Sequence, residues 1–289
     1  MLNIKSGAIK SQPDERDYQW HRVAGSSLFD WDKGFDIEHE IGKKLGTIFT
    51  TPDKDQNGSY GCGGNAWGYY GGAIESMVTG TFEERSAKFI YAQTFEPNGG
   101  GSDGRKNCEL VTNQGWGLEK DTPSYENGNP PSEEFMRRIQ DITKKARDNA
   151  SYSKSLVYAN VNPDIDIFAN AIKANNGLVF GIDGEDNGTW RSEFPLPPKK
   201  TVWCHWLYAG KARMINGKKY IGFINSWGEN VGNKGWQWIG EDYFKSGHVW
   251  PGWTLPFNKA NLVAKLKGEQ LSLMKQLLNI LKEQLAKLI

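Results

Sequence analysis

From residue 61 to about 79, the apolar positions Ala66, Trp67, Tyr70, Ala73, Ile74 and Met77 recur at spacings of three and four. This pattern predicts a buried helix whose first turn holds Cys62. The same period predicts helices over residues 83–95, with Ala87, Ile90, Tyr91 and Thr94 inward, over 107–114 ending at Gly115, and over the charged stretch 133–149. A further amphipathic helix is expected over 165–175, with Ile167, Phe168, Ala171 and Ile172 on its apolar side. After Gly177 the pattern shortens to β-rich runs, and strands are expected at 178–182, 205–210, 220–225 and 235–239. Helices followed by strands indicate an α+β fold with a helical half, a sheet half and a groove between them for a substrate.

The two ends read differently. Pro13, Asp14 and the run Glu15-Arg16-Asp17 make residues 1–30 a loop-rich leader, expected to wrap the surface. In the segment 258–289, Leu271, Met274, Leu278, Leu281, Leu285 and Leu288 step by alternating threes and fours, an a/d heptad register. Two readings of this C-terminal Leu-rich helix stay open. It packs on its own domain, or it joins a homo-oligomer or a partner helix through those six residues, a coiled coil.

Composition narrows the function. The chain has 289 residues, 38% hydrophobic and 24% charged, with a net charge of +1. No basic block offers a footprint for nucleic acid, and no apolar run approaches the roughly 18 residues of a membrane helix or forms a signal-peptide core. The expected location is cytoplasmic, or outside after release without a cleaved signal. Cys62, Cys108 and Cys204 are odd in number and widely spaced, unlike a disulfide framework or a zinc ligand set.

A nucleophilic thiol needs a base, a group that orients the base, and donors for the oxyanion of a tetrahedral intermediate. Cys62 at a helix N-terminus is the candidate nucleophile, in a position where the helix dipole is expected to lower the thiol pKa. His205 opening one strand is the candidate base, Asn225 closing another the orienting group, and Gln56 the side-chain oxyanion donor. The loop Gly99-Gly100-Gly101-Ser102-Asp103-Gly104 lacks the Lys-Ser/Thr of a phosphate loop.

With Asp55-Gln56 six positions before Cys62, His205 before an apolar run, and Asn225-Ser226-Trp227-Gly228, the sequence resembles the papain-like cysteine peptidases, in particular bacterial and phage-type members without the usual disulfides. His205 follows Cys62 by about 140 residues, inside the ~130–150 expected of such enzymes. The resemblance covers roughly residues 30–250. It implies a two-lobe fold, a helical lobe followed by an antiparallel sheet or barrel lobe, with residues 31–257 as the catalytic domain. It also implies peptide or protein as substrate, a Cys62 thioester intermediate, endopeptidase activity and no cofactor. Trp227 is expected to cover the His–Asn hydrogen bond, while Gly100 and Gly101, with the region from Ala171 to Trp203, are expected to line the cleft.

A second alignment, laying Cys62-Gly63-Gly64-Asn65 on the family's Cys-Gly-Ser-Cys, would put Asn65 at the nucleophile and describe a dead enzyme. It would also move Gln56 nine residues from that position. Other readings of the same chemistry are an amidase or transpeptidase acting on peptidoglycan or isopeptide bonds, and an inactive scaffold assembling through the Leu-rich tail. Gly63 and Cys204-His205-Trp206 depart from the family's usual residues. Cys108 and Cys204 read as buried packing thiols. His21, His39 and His248 read as surface or structural, and Trp250 and Trp253 as candidates for exposed contacts with sugar or peptide.

Overall fold

The computed structural model describes residues 7–20, 28–56, 58–155 and 157–255. The Leu-rich tail, His21 and the first six residues lie outside these.

A short strand, β1 (Ala8–Ile9), precedes β2 (Phe35–Asp36) and helix α1 (Ile37–Leu45). The helical lobe continues with α2 (Cys62–Thr79), α3 (Ala87–Thr94), β3 (Ser102–Asp103), α4 (Gly104–Asn113), α5 (Glu133–Arg137) and α6 (Lys144–Ala150). Ser86, Asp103, Ser132 and Thr143 each cap a helix by accepting from a first-turn N–H, which sets the starts at these positions. The caps also explain two differences from the expected pattern. The helix expected at 83–95 begins only after Ser86, and the stretch 133–149 is broken by a 3₁₀ turn at Ile139–Asp141 before Thr143 restarts it.

The sheet lobe contains β4 (Ala159–Val161), α7 (Ile165–Asn175), β5 (Leu178–Gly184), β6 (Trp203–Ile215), β7 (Lys218–Ile224), β8 (Trp236–Gly240), α8 (Glu241–Lys245) and β9 (Val249–Thr254). Its strands run antiparallel in the order β4-β9-β5-β6-β7-β8, and β2 pairs with β6. Sequence reading missed β9, because Pro251 and Gly252 break its pattern. Pairing to both β4 and β5 supplies the order that propensity does not.

Each lobe has its own core. Trp67, Tyr70, Ile74, Phe89, Val111 and Trp116 fill the helical one, and Phe168, Ile172, Phe180, Leu207, Phe223 and Ile239 the other. Ala171 is wholly buried in the second core, so the expectation that the cleft lining starts there fails: the inner face of α7 is packed away. Trp250 and Trp253 are also buried rather than exposed, since β9 carries them into the junction with α4 and β6. Among the described residues, no helix is long and apolar enough to cross a membrane.

Candidate active site

Helix α2 begins at Cys62 with Gly61 as its cap, and Gly61 has no side chain to occupy the first-turn N–H groups. The backbone N–H groups of Trp206, Gly7, Gly63 and Cys62 itself act to lower the pKa of the Cys62 thiol. The run of small residues after it has a steric cause. A Cβ on Gly63 would collide with Ser102 Oγ, and one on Gly64 with the carbonyl of Ala87. Helix α3 therefore approaches α2 backbone to backbone, and the Ser102 side chain of β3 fills the space a Cβ on Gly63 would take. Asn65 is folded back on its own helix, with Nδ2 donating to the Gly61 carbonyl at 3.0 Å. Of the two alignments, the geometry favours the one with Cys62 at the cleft.

His205 sits on β6 opposite Ile182 of β5. Trp227 stacks on its ring, with centroids 4.5 Å apart and planes at 27°, and Trp203 meets it edge-on. Its Nε2 lies 3.0 Å from Asn225 Oδ1, which also accepts from the Ser226 N–H at 2.8 Å. Asn225 Nδ2 donates to Gln237 Oε1, and Gln237 Nε2 donates to the carbonyls of Trp190 and Ser192. This chain fixes which way the Asn225 amide faces, so the imidazole proton belongs on Nε2 and Nδ1 is left as the acceptor. Among the described residues, Nδ1 is buried with no hydrogen-bond partner.

Gln56 reaches the same place from the helical lobe. Its N–H donates to the Ser226 carbonyl at 2.8 Å, Oε1 accepts from Ser226 Oγ at 2.5 Å, and Nε2 donates to the Ser59 carbonyl at 3.3 Å. Asp55 bridges to Trp227 beside it. Ser226 and Gln237 were not singled out in the sequence. Ser226 stands inside the recognised Asn-Ser-Trp-Gly motif, but Gln237 had no signal at all, because only strand pairing of β7 with β8 brings it under Asn225.

The leader does not simply wrap the surface. Strand β1 lies parallel to β3, with the Ser102 N–H donating to the Gly7 carbonyl at 2.8 Å, and Gly7 is buried between Tyr60 and Gly101. Gly100 and Gly101, at φ +73° and +81°, shape the rim where this strand docks. Further along, Ser11 Oγ donates to Asp103 Oδ1 at 3.0 Å, and Arg105 Nε donates to Asp17 Oδ1 at 3.0 Å.

This burial reverses the expected effect on the thiol. Desolvation pushes the Cys62 pKa up to about 11, against the lowering action of the surrounding N–H groups. Burial likewise takes His205 down to about 4, opposed by its hydrogen bond to Asn225. Both shifts favour the uncharged forms, a thiol and an imidazole, where a thiolate was expected.

Cys108 is buried in α4, as a packing thiol would be. Cys204 is only half-buried, and its thiol donates to Asp183 Oδ1 at 3.5 Å; Asp183 also accepts from Trp250 Nε1 at 2.9 Å and lies 3.1 Å from His248 Nδ1. His39 is exposed on α1. Among the described residues, no three His, Cys, Asp or Glu side chains are grouped to hold a metal ion.

No family model matches the sequence, and neither does any curated protein. Solved structures do match. Xylellain, a cysteine protease from Xylella fastidiosa, is 19% identical, covers 88% of this chain and 96% of its own, and superposes with a TM-score of 0.69. Procathepsin B S9 from Trypanosoma congolense is 11% identical, covering 88% and 86%, with a TM-score of 0.66. The bromelain protease from Ananas comosus, in complex with the E64 inhibitor, is 18% identical, covering 78% and 99%, with a TM-score of 0.59. These superpositions over most of the chain give it the α+β two-lobe fold of the papain-like cysteine proteases.

Proposed function

We propose that this protein is a cysteine endopeptidase, with Cys62 as nucleophile, His205 as general base, Asn225 as the group that orients it and Gln56 as an oxyanion donor. The observation that carries the reading is the His205–Asn225 pair, held at 3.0 Å beneath Trp227 with Nδ1 left as an acceptor. A dry, ring-covered hydrogen bond is stronger than one open to water and fixes the tautomer that general-base catalysis needs.

In the acylation step, Sγ forms a bond to the peptide carbonyl carbon while the thiol proton passes to His205 Nδ1. The oxyanion is received by the Cys62 N–H and the Gln56 amide. The C–N bond then breaks, the amine leaves with the proton from His205, and a thioester on Cys62 remains. Water activated by His205 hydrolyses it, releasing the acid and restoring the thiol. On this reading the N-terminal strand, docked on β3 beside Gly101, shifts before a peptide enters.

The test is a proteome-derived peptide digest by the full chain carrying Arg105→Ala, which removes one tether of the leader, with and without Cys62→Ala. Cleavages present only with Cys62 are expected. Identical patterns for the two proteins would sink the reading.

A further inference from the structure

We infer that Glu133 is a positioning residue of the cleft, a single carboxylate that clamps the loop carrying Gln56 and Cys62 to the glycine rim. The inference rests on the peptidase reading above and adds a residue to it.

The two oxygens of Glu133 serve two different elements. Oε2 accepts from the backbone N–H of Tyr60 at 2.7 Å, between Gln56 and Cys62 in the chain. Oε1 accepts from the Tyr91 hydroxyl at 2.7 Å, and that hydroxyl accepts in turn from the Gly101 N–H at 2.9 Å. Gly101 adjoins Ser102 of β3, the strand on which β1 lies and on which the peptide of the proposed reaction would lie in its place. Loop and rim are therefore held in register by one side chain of a third element, α5.

That side chain is itself fixed. Ser132 caps α5, and Met136 is wholly buried in a cluster with Ala87 and Tyr91. A methyl on Gly61 would come within 3.0 Å of the Met136 terminal carbon, so α5 packs against the start of α2 as well as against α3. Arg137 Nε donates to Glu133 Oε1 at 2.5 Å, and its guanidinium lies over the Phe95 ring at 4.9 Å. Three donors thus hold a carboxylate that is only 17% exposed. A charged acceptor makes shorter and stronger hydrogen bonds than a neutral one, which suits it to hold geometry. The same stretch is tied to α3 a second time, by the ion pair of Asp141 with Lys88, whose atoms belong to neither the loop nor the rim. That pair is the control for a merely structural role.

The experiment labels Cys62 in the full chain carrying Arg105→Ala and needs no turnover. The probe is a peptidyl chloromethyl ketone: Sγ forms a bond to its methylene carbon, chloride leaves, and the thiol proton passes to His205 or water. Its concentration dependence separates binding, read as the half-saturating concentration, from the limiting rate, and peptide mass mapping locates the adduct. Tyr91→Phe, which takes the acceptor from the Gly101 N–H alone, is expected to raise the half-saturating concentration about tenfold, with the limiting rate within about threefold of the parent. Glu133→Ala is expected to raise it equally and also to lower the limiting rate about tenfold, since small misplacements of reacting groups are costly. The double variant is expected to match Glu133→Ala, because Tyr91 acts through Glu133. Asp141→Asn is expected to lower Tm with both constants unchanged.

A limiting rate for Glu133→Ala equal to that of Tyr91→Phe would overturn the hold on the loop, and an unchanged half-saturating concentration in Tyr91→Phe the hold on the rim. Additive losses in the double variant, labelling that does not saturate in the parent, or an Asp141→Asn that moves both constants as Glu133→Ala does would overturn the clamp as a whole. Where Glu133→Ala does not fold by circular dichroism, the isosteric Glu133→Gln, with one acceptor oxygen in place of two, is read by the same criteria. If the constants split as expected but the Arg105→Ala digest shows no cleavage that depends on Cys62, the peptidase reading falls and Glu133 keeps its role. If that cleavage is present and the constants do not split, only the clamp falls.

Discussion

Cys62 and His205 are equally buried, but by different parts of the chain. His205 is covered by Trp203 and Trp227 from its own lobe, and its hydrogen-bond chain through Asn225 and Gln237 ends on backbone carbonyls. Cys62 lies at the end of a helix near the N-terminal segment, whose strand β1 pairs with β3 and whose Ser11, Gln12 and Asp17 are tied to Asp103 and Arg105. One burial is made by the lobe's own core, the other beside a short N-terminal strand. Burial holds the Cys62 pKa up at about 11, so greater exposure of the sulfur is expected to lower it and let the helix N-terminus favour the thiolate.

The sharpest way to break this contrast is to remove one partner at a time in the Arg105→Ala chain. Cys62→Ala and His205→Ala are each expected to lower kcat/KM for a cleaved peptide by roughly 10⁴-fold or more, with the double variant no worse than either, since the groups act as a unit. Additive losses would mean that they do not share a step. Gln56→Ala should cost less, about 10²–10³ in kcat, with the rate of Cys62 alkylation unchanged, because an oxyanion donor acts only once charge develops on the substrate.

Smaller still is the effect expected of the tether. Arg105→Ala or Asp17→Asn should raise Cys62 alkylation at pH 7.5 by about tenfold and move the inflection of its pH profile down from about 11, since exposure favours the thiolate. An unchanged profile would show that the leader does not control the thiol.

The smallest effect concerns the burial of His205. The folded pKa of His205, about 4, lies below the ordinary 6.5, so its neutral form adds stability that is fully present above pH 6.5 and is lost as pH falls through about 4. His205→Gln should accordingly lose less thermal stability than the parent between pH 7 and pH 4.5, by about 5 °C in Tm. Equal losses in the two proteins would mean that the imidazole is not held neutral.

The legible parts of the molecule are those in which a local pattern has a local cause. Helix α7 matches the expected range 165–175, since Asp164 caps it and Asn176 ends it in the left-handed conformation. The core strands of the sheet are recognisable for the same reason, although β6 begins at Trp203 and extends to Ile215, beyond its apolar run, because β5 and β7 pair along it. Motif and spacing single out Gln56, Cys62, His205 and Asn225 as candidates, and the structure pairs His205 with Asn225 and ties Gln56 to Ser226. Gln237, which orients Asn225, was not, and neither was the role of Gly7.

The sequence by itself determined the α+β order of elements, the candidate thiol and its candidate partners, because periodicity, caps and short motifs are written in neighbouring residues. Only the tertiary structure decided how Gly63 and Gly64 are used, where the leader lies, and in which direction the Cys62 pKa moves. Each of these depends on what a distant segment places against a residue: Ser102 and Ala87 against the glycines, and Ser102 against Gly7 of the leader. A helix N-terminus favours a thiolate at first sight of the sequence, but desolvation depends on the whole surrounding chain, and here it is the larger effect.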